Sequence, residues 1–212
     1  MVENKVQRVR GVGNLQFLER YGKPGCVGLF GGSSAVDRAI RMGQRGMDDG
    51  AKPSLWSHVA VFEGERLDGR PWLLESDFDV GKGQLRNGVQ ENRVDKYASE
   101  KEWPNLAVLD FGLKEKDVRR VLVAGLDLVA KRTRYDLDGI LQTYWAMMRK
   151  TMHEGREKDS TFCSAFVRAI FQHAGIDLFP GIAVRHTLPE HVSQTPVPHA
   201  RVLLVRDDPA LT

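Results

Sequence analysis

The segment Trp56-Ser57-His58-Val59-Ala60-Val61-Phe62, followed after a polar stretch by Pro71-Trp72-Leu73-Leu74-Glu75-Ser76, has the pattern of an antiparallel hairpin. Both runs are apolar, and the Asp68-Gly69 dipeptide between them is a turn signal. Each run is apolar on both faces, which is the mark of a strand buried on both sides. His58 and Glu75 stand out inside it. If the connecting loop has an even number of residues, the two project from the same face. A loop over 63–70 would set them directly opposite, with Cβ atoms about 5 Å apart. A two-residue turn at Asp68-Gly69 would keep the shared face with an offset of two residues per strand. A carboxylate beside an imidazole fixes its tautomer and raises its basicity. A structural carboxylate satisfying a buried histidine would leave the same pattern.

Working outward, a glycine-rich loop leads into a strand over Val27-Gly28-Leu29-Phe30, then a helix with Ser33 or Ser34 as N-cap that runs through Ala39-Ile40. Val89 to Val94 predicts an edge strand and Asn105 to Phe111 a further strand. Lys114 to Arg132 is an amphipathic helix, with Val118, Val121, Leu122, Gly125, Leu128 and Val129 on one face. Asp138-Gly139 opens another helix through Ile140, Leu141, Tyr144 and Met148. After a polar linker, Asp159-Ser160-Thr161 starts a helix through Phe162, Ala165, Phe166, Ala169, Ile170 and Phe171, ended by Ala174-Gly175. It is apolar nearly all round, so it belongs at the centre. The tail ends on the strand-like Arg201-Val202-Leu203-Leu204-Val205. Strands in the middle with helices before and after predict an α+β fold. The organisation expected is one domain over 1–212, with 1–21 as an N-terminal extension and 198–212 as a C-terminal tail.

The chain has 212 residues, 42% hydrophobic and 28% charged, values that exclude disorder, collagen and coiled coil. Its 31 Lys and Arg against 28 Asp and Glu leave +3, with no basic block to track a phosphate backbone, so no nucleic-acid partner is expected. Two cysteines, Cys26 and Cys163, make no disulfide framework and no zinc spacing. His186-Thr187-Leu188-Pro189-Glu190-His191 has the wrong spacing for a zinc helix, and Pro189 would break one. Gly28 to Ser34 lacks the lysine of a phosphate loop. No apolar run approaches the roughly 20 residues of a membrane span, and the start lacks a secretory signal. The expectation is a cytoplasmic chain, or one exported without a cleavable signal.

Cys163 lies in the first turn of the central helix. Helix N-termini carry about half a positive charge, which favours the thiolate, the form that attacks carbonyls. A lone cysteine can equally be a small buried hydrophobe. The string Phe162-Cys163-Ser164-Ala165-Phe166-Val167 resembles the cysteine helix of NlpC-type papain-like hydrolases, and Ser57-His58-Val59-Ala60-Val61-Phe62 resembles their histidine strand. The order His, Glu, Cys is similar to that of the circularly permuted branch typified by the bacterial YiiX and YebB proteins. Lys23-Pro24-Gly25, Leu74-Glu75, Gly88-Val89, Tyr135-Asp136 and Thr187-Leu188-Pro189-Glu190 follow that branch in sequence. One departure is Gly25-Cys26, where the branch usually has Gly-Asp.

The resemblance implies a papain-like antiparallel sheet packed on helices, with Cys163 as nucleophile, His58 as base, Glu75 orienting His58, and Tyr135 helping to hold the oxyanion beside a backbone N–H. It implies no metal or organic cofactor. The expected activity is hydrolysis of an amide through a thioester. A peptidoglycan fragment or peptide would be the substrate, and a delivery or immunity protein a partner if the chain is an exported effector. A second reading is hydrolysis or transfer of an acyl-lipid group, for which Phe30, Trp56, Trp103, Tyr144 or Trp145 would line an apolar groove. A third is a binding module without turnover.

Overall fold

The computed structural model describes residues 5–45, 47, 52–81, 84–131, 163–181 and 187–206. The elements run β1 (Lys5–Val9), α1 (Asn14–Tyr21), β2 (Val27–Gly31), α2 (Ala35–Gly43), β3 (His58–Glu65), β4 (Pro71–Gly81), β5 (Gln84–Arg93), a 3-10 turn (Val94–Tyr97), β6 (Asn105–Asp110), α3 (Glu115–Ala130), α4 (Cys163–His173), α5 (Pro189–Ser193) and β7 (Ala200–Leu204). The helix expected from Asp138-Gly139, the caps at Asp159-Ser160-Thr161 and Tyr135 lie outside the described residues.

The strands form one seven-stranded sheet in the order β1-β7-β6-β2-β3-β4-β5, so the fold is α+β. Two expectations need correction. The sheet is mixed rather than antiparallel, because β1 pairs parallel to β7. These strands come from opposite ends of the chain, and no hairpin ties their directions together. The described parts of the expected N-terminal extension and C-terminal tail also belong to the sheet and its core: β7 lies between β1 and β6, and α1 buries Phe17 and Leu18 completely. The glycines around α1 read as loop, but Phe17, Leu18 and Tyr21 fall on one face, and burying that face outweighs weak local signals.

Helices cover both faces of the sheet. On one, Val27, Leu29, Val59, Val61, Leu74 and Leu109 pack with Phe166, Val167, Ile170 and Phe171 of α4 and Val121 of α3. On the other, Phe30, Ala60, Phe62, Leu73, Leu106 and Val108 pack with Phe17, Leu18, Val94 and Tyr97. Double burial is what the apolar runs of β3 and β4 foretold, and β2 and β6 share it. α3 approaches closely at Gly125, where a Cβ would stand 2.8 Å from Leu74 Cδ1. α2 begins as read, on Ser34, whose Oγ accepts from the Asp37 N–H in a capping box. No helix among the described residues is long and apolar enough to cross a membrane.

The β3–β4 register follows neither of the two alternatives read from the sequence. The connection runs over 66–70, an odd number of residues, and opens with Glu65 opposite Pro71 and Gly64 opposite Trp72. Continued unbroken, that register would turn His58 and Glu75 to opposite faces. A bulge at Glu63 intervenes, so that Phe62 pairs with Leu73 and Val61 with Leu74. Continued past that point, it sets His58 opposite Asp77 and leaves Glu75 a diagonal neighbour on the same face.

Gly64, beside the bulge, has φ 113°, and a Cβ there would meet Pro24 Cγ at 2.8 Å. Gly64→Ala is expected to cost on the order of 1–3 kcal/mol, read as a drop in the urea midpoint. An unchanged midpoint would contradict the bulge geometry.

Candidate active site

Glu75 is completely buried, and its carboxylate accepts from four side chains. Oε2 takes His58 Nε2 at 2.8 Å and the Tyr97 hydroxyl; Oε1 takes Asn92 Nδ2 and Lys96 Nζ, each at 2.6 Å. Lys96 Nζ also donates to Asp77 Oδ2. β4 carries Glu75 and Asp77 on one face by its two-residue period. β5 brings Asn92 opposite Leu73, and the 3-10 turn folds Lys96 and Tyr97 over the group. Burial alone would push the Glu75 carboxyl up. The Lys96 charge, then the His58 bond and charge, reverse that and hold it well below the usual carboxylate range. Burial likewise works against the Lys96 charge, but Glu75 and Asp77 outweigh it and bind its proton more tightly than in free lysine. The Tyr97 hydroxyl is pushed up by burial and by the negative charges of Glu75 and Asp77, so it stays a donor.

An ionised carboxylate can only accept, so His58 Nε2 carries the proton toward Glu75 and Nδ1 is left for the thiol. Cys163, the first residue of α4, is the other group that acts on the ring. Burial opposes the imidazolium, but the Cys163 charge and hydrogen bond, and then the Glu75 bond, raise His58 well above the ordinary histidine range. The two halves come from opposite faces of the sheet. α4 packs on the side of Val59 and Val61, and Glu75 lies on the side of Phe62 and Leu73. His58 is the first residue of β3, where the β2–β3 pairing ends. The imidazole also stacks on Tyr97, whose ring stacks in turn on Phe30 at 3.8 Å between centroids.

Both elements that carry the pair are anchored by buried polar groups. Before His58, Trp56 N–H donates to Ser54 Oγ at 3.0 Å, Gln44 Nε2 to Trp56 O at 2.8 Å, and Gly32 N–H to Ser57 Oγ at 2.9 Å. Glu190 accepts from Ser54, and its N–H donates to Gln44 Oε1 at 2.7 Å. In α4, Ser164 Oγ donates to Thr187 O at 2.5 Å, and the buried Arg168 reaches Asp177 and Phe179 O. The Thr187–Glu190 stretch is thus a clamp on both elements, with Pro189 opening α5 rather than breaking a helix.

The sequence reading missed Asn92, Lys96, Tyr97, Asp77 and Arg168. Asp77 was within reach, two residues beyond Glu75 on the same strand face. Arg168 was within reach as a charge in an otherwise apolar helix. Asn92, Lys96 and Tyr97 depend on the β4–β5 register. The rival cysteine, Cys26, is buried at the other end of β2 from His58, and burial, then the Asp110 charge, pushes its thiol up to about 12. Two of the aromatics named for an apolar groove, Phe30 and Trp56, are core residues, and Trp103 packs edge-on against Tyr97 and Phe30. Tyr144 and Trp145 lie outside the described residues. Among the described residues, His58, Glu75 and Asp77 form one group of possible metal donors, with ligand atoms within 4.8 Å of one another.

No family model matches the chain, and no curated protein matches it. Among solved structures, it is similar to the metalloprotein YiiX from Escherichia coli O157:H7 (DUF1105), with a TM-score of 0.56 and 14% identity over 89% of this chain and 99% of that one. At that identity the likeness is one of fold.

The two shifted groups predict opposite pH limbs of stability. Glu75 is depressed, so its contribution is complete above the ordinary glutamate value of about 4.3 and is lost as the pH falls below it. His58 is raised, so its contribution is complete below about 6.5 and is lost as the pH rises through its higher folded value. Denaturation midpoints against pH should fall on both sides, with Glu75→Gln flattening the acid limb and His58→Gln the alkaline limb. Limbs unchanged in the variants would refute the assignment.

Proposed function

We propose that this chain is a cysteine hydrolase of the circularly permuted, papain-like NlpC type, forming one domain that cleaves an amide bond by a Cys163–His58–Glu75 triad. The observation that carries the reading is the imidazole of His58 bonded to a buried, ionised carboxylate, with Cys163 opening the helix that packs against that part of the sheet. Glu75 fixes the tautomer and leaves Nδ1 to take the thiol proton. The thiolate attacks the carbonyl, and open N–H groups at the start of α4 stabilise the oxyanion, with Tyr135 as a second donor. His58 protonates the leaving amine, and water, activated by the same imidazole, releases the acid from the thioester.

A peptide or peptidoglycan-fragment substrate is favoured over an acyl-lipid, because Phe30 and Trp56 are spent on the core rather than on a groove. A cytoplasmic location, or export by a dedicated apparatus with a delivery or immunity partner, fits such a chain. The neighbour's description as a metalloprotein does not carry over to this mechanism. The Lys96 ammonium already bridges Glu75 and Asp77, and His58 Nε2 already faces Glu75. With Lys96 on both carboxylates and Nε2–H on Glu75, the site as built does not fit a metal ion, and no step is routed through one.

Purified protein incubated with peptidoglycan fragments, and in parallel with phospholipid vesicles, should release amide-cleavage products from the first only, read by mass. Lipid products alone would reverse the substrate assignment. Iodoacetamide near neutral pH should modify Cys163 at least about tenfold faster than Cys26. His58→Ala should abolish the difference, whereas His173→Ala should keep it. Slow, equal modification of both thiols would remove the enzyme reading.

A further inference from the structure

A histidine and two carboxylates with ligand atoms within 4.8 Å of one another are a donor set suited to a divalent cation. In this chain a cation is already built in. Lys96 Nζ lies 2.6 Å from Glu75 Oε1 and also donates to Asp77 Oδ2. Its Nζ lies over the Tyr97 ring, 5.4 Å from the centroid, and the side chain is only about one-fifth exposed. Two carboxylates this close need a shared proton or a positive charge between them.

We propose that the Lys96 ammonium is the resident cation of this site, holding Glu75 and Asp77 together where a divalent metal would otherwise bind. Lys96 is therefore a positioning residue, acting on His58 through Glu75. The distinction between the two cations matters for the ring. A metal ion on Nε2 needs that nitrogen's lone pair, so Nε2 would lose its proton and Nδ1 would carry one. The ring would then donate toward Cys163 and could no longer accept from it. An ammonium makes no demand on Nε2, so the Nε2–H bond to Glu75 survives.

The test is independent of whether the chain is a hydrolase, because it is run in Cys163→Ala protein, where the thiol cannot act as a ligand. Co2+ is titrated in and followed by calorimetry and visible absorption. Cys163→Ala alone should show no His58-dependent site. Adding Lys96→Ala should create one equivalent of binding, tighter by about tenfold or more once the ammonium's repulsion is gone. Adding His58→Ala should remove that site again. Lys96→Arg should behave like lysine, a rescue that a purely space-filling role would not give. If Lys96→Ala fails to fold, Lys96→Met retains the stem and serves in its place. The proposal is overturned if Cys163→Ala protein with Lys96 intact binds Co2+ through His58, or if loss of the ammonium gains no binding.

Discussion

The arrangement turns on one buried anion. A carboxylate with no access to water is strongly unfavourable unless its charge and lone pairs are met, and removing one partner of such a group leaves an uncompensated charge. Glu75 meets that condition with an imidazole, a phenol, an amide and an ammonium. Each donor is fixed in turn: Tyr97 by stacking on Phe30, Lys96 between two carboxylates, Asn92 in the β4–β5 ladder. A network satisfied this fully tolerates few alternatives, and so the plane and tautomer of His58 are set by the core rather than by the surface.

The rest of the fold delivers groups to that anion. The bulge at Glu63 corrects an odd-length turn and returns His58 and Glu75 to one face. The polar clamp of Gln44, Ser54 and Glu190 holds the chain just before His58, while Ser164 and Arg168 fix α4 through Thr187, Asp177 and Phe179. Cys163 and Glu75 belong to opposite faces of the sheet, and His58 stands at the start of β3, where its pairing with β2 ends. A strand end is where a side chain from either face can reach the other.

The likeness to YiiX at 14% identity shows that one fold is compatible with very different sequences. Cys26 illustrates the point. Where the permuted branch resembled by this chain usually has an aspartate, the local chain is held by main-chain bonds instead. Gly25 N–H donates to Phe62 O at 2.8 Å and Phe62 N–H to Cys26 O at 2.9 Å, so the loop keeps its place with a buried thiol.

Local pattern was enough for much of this protein. Apolar runs located β2, β3, the first half of β4 and β6, double-faced in β3 and β4; the periodicity of Val118 to Val129 located α3; the Ser33-Ser34 pair located the start of α2. The face shared by His58 and Glu75 was expected only on an even loop; the actual loop is odd, and the bulge at Glu63, which the sequence did not signal, supplies the missing step. Sequence could not reveal β1 and α1, whose signals are weak and whose stability comes from distant partners in β7 and the Tyr97 core. Nor could it reveal Asn92, Lys96 and Tyr97 around Glu75. What the sequence determined by itself was which residues are apolar, which turn and which can carry charge, because those are properties of side chains and nearest neighbours. What only the tertiary structure decided was which charges meet, because strand register and the crossing of β7 between β1 and β6 are set by burial across the whole chain.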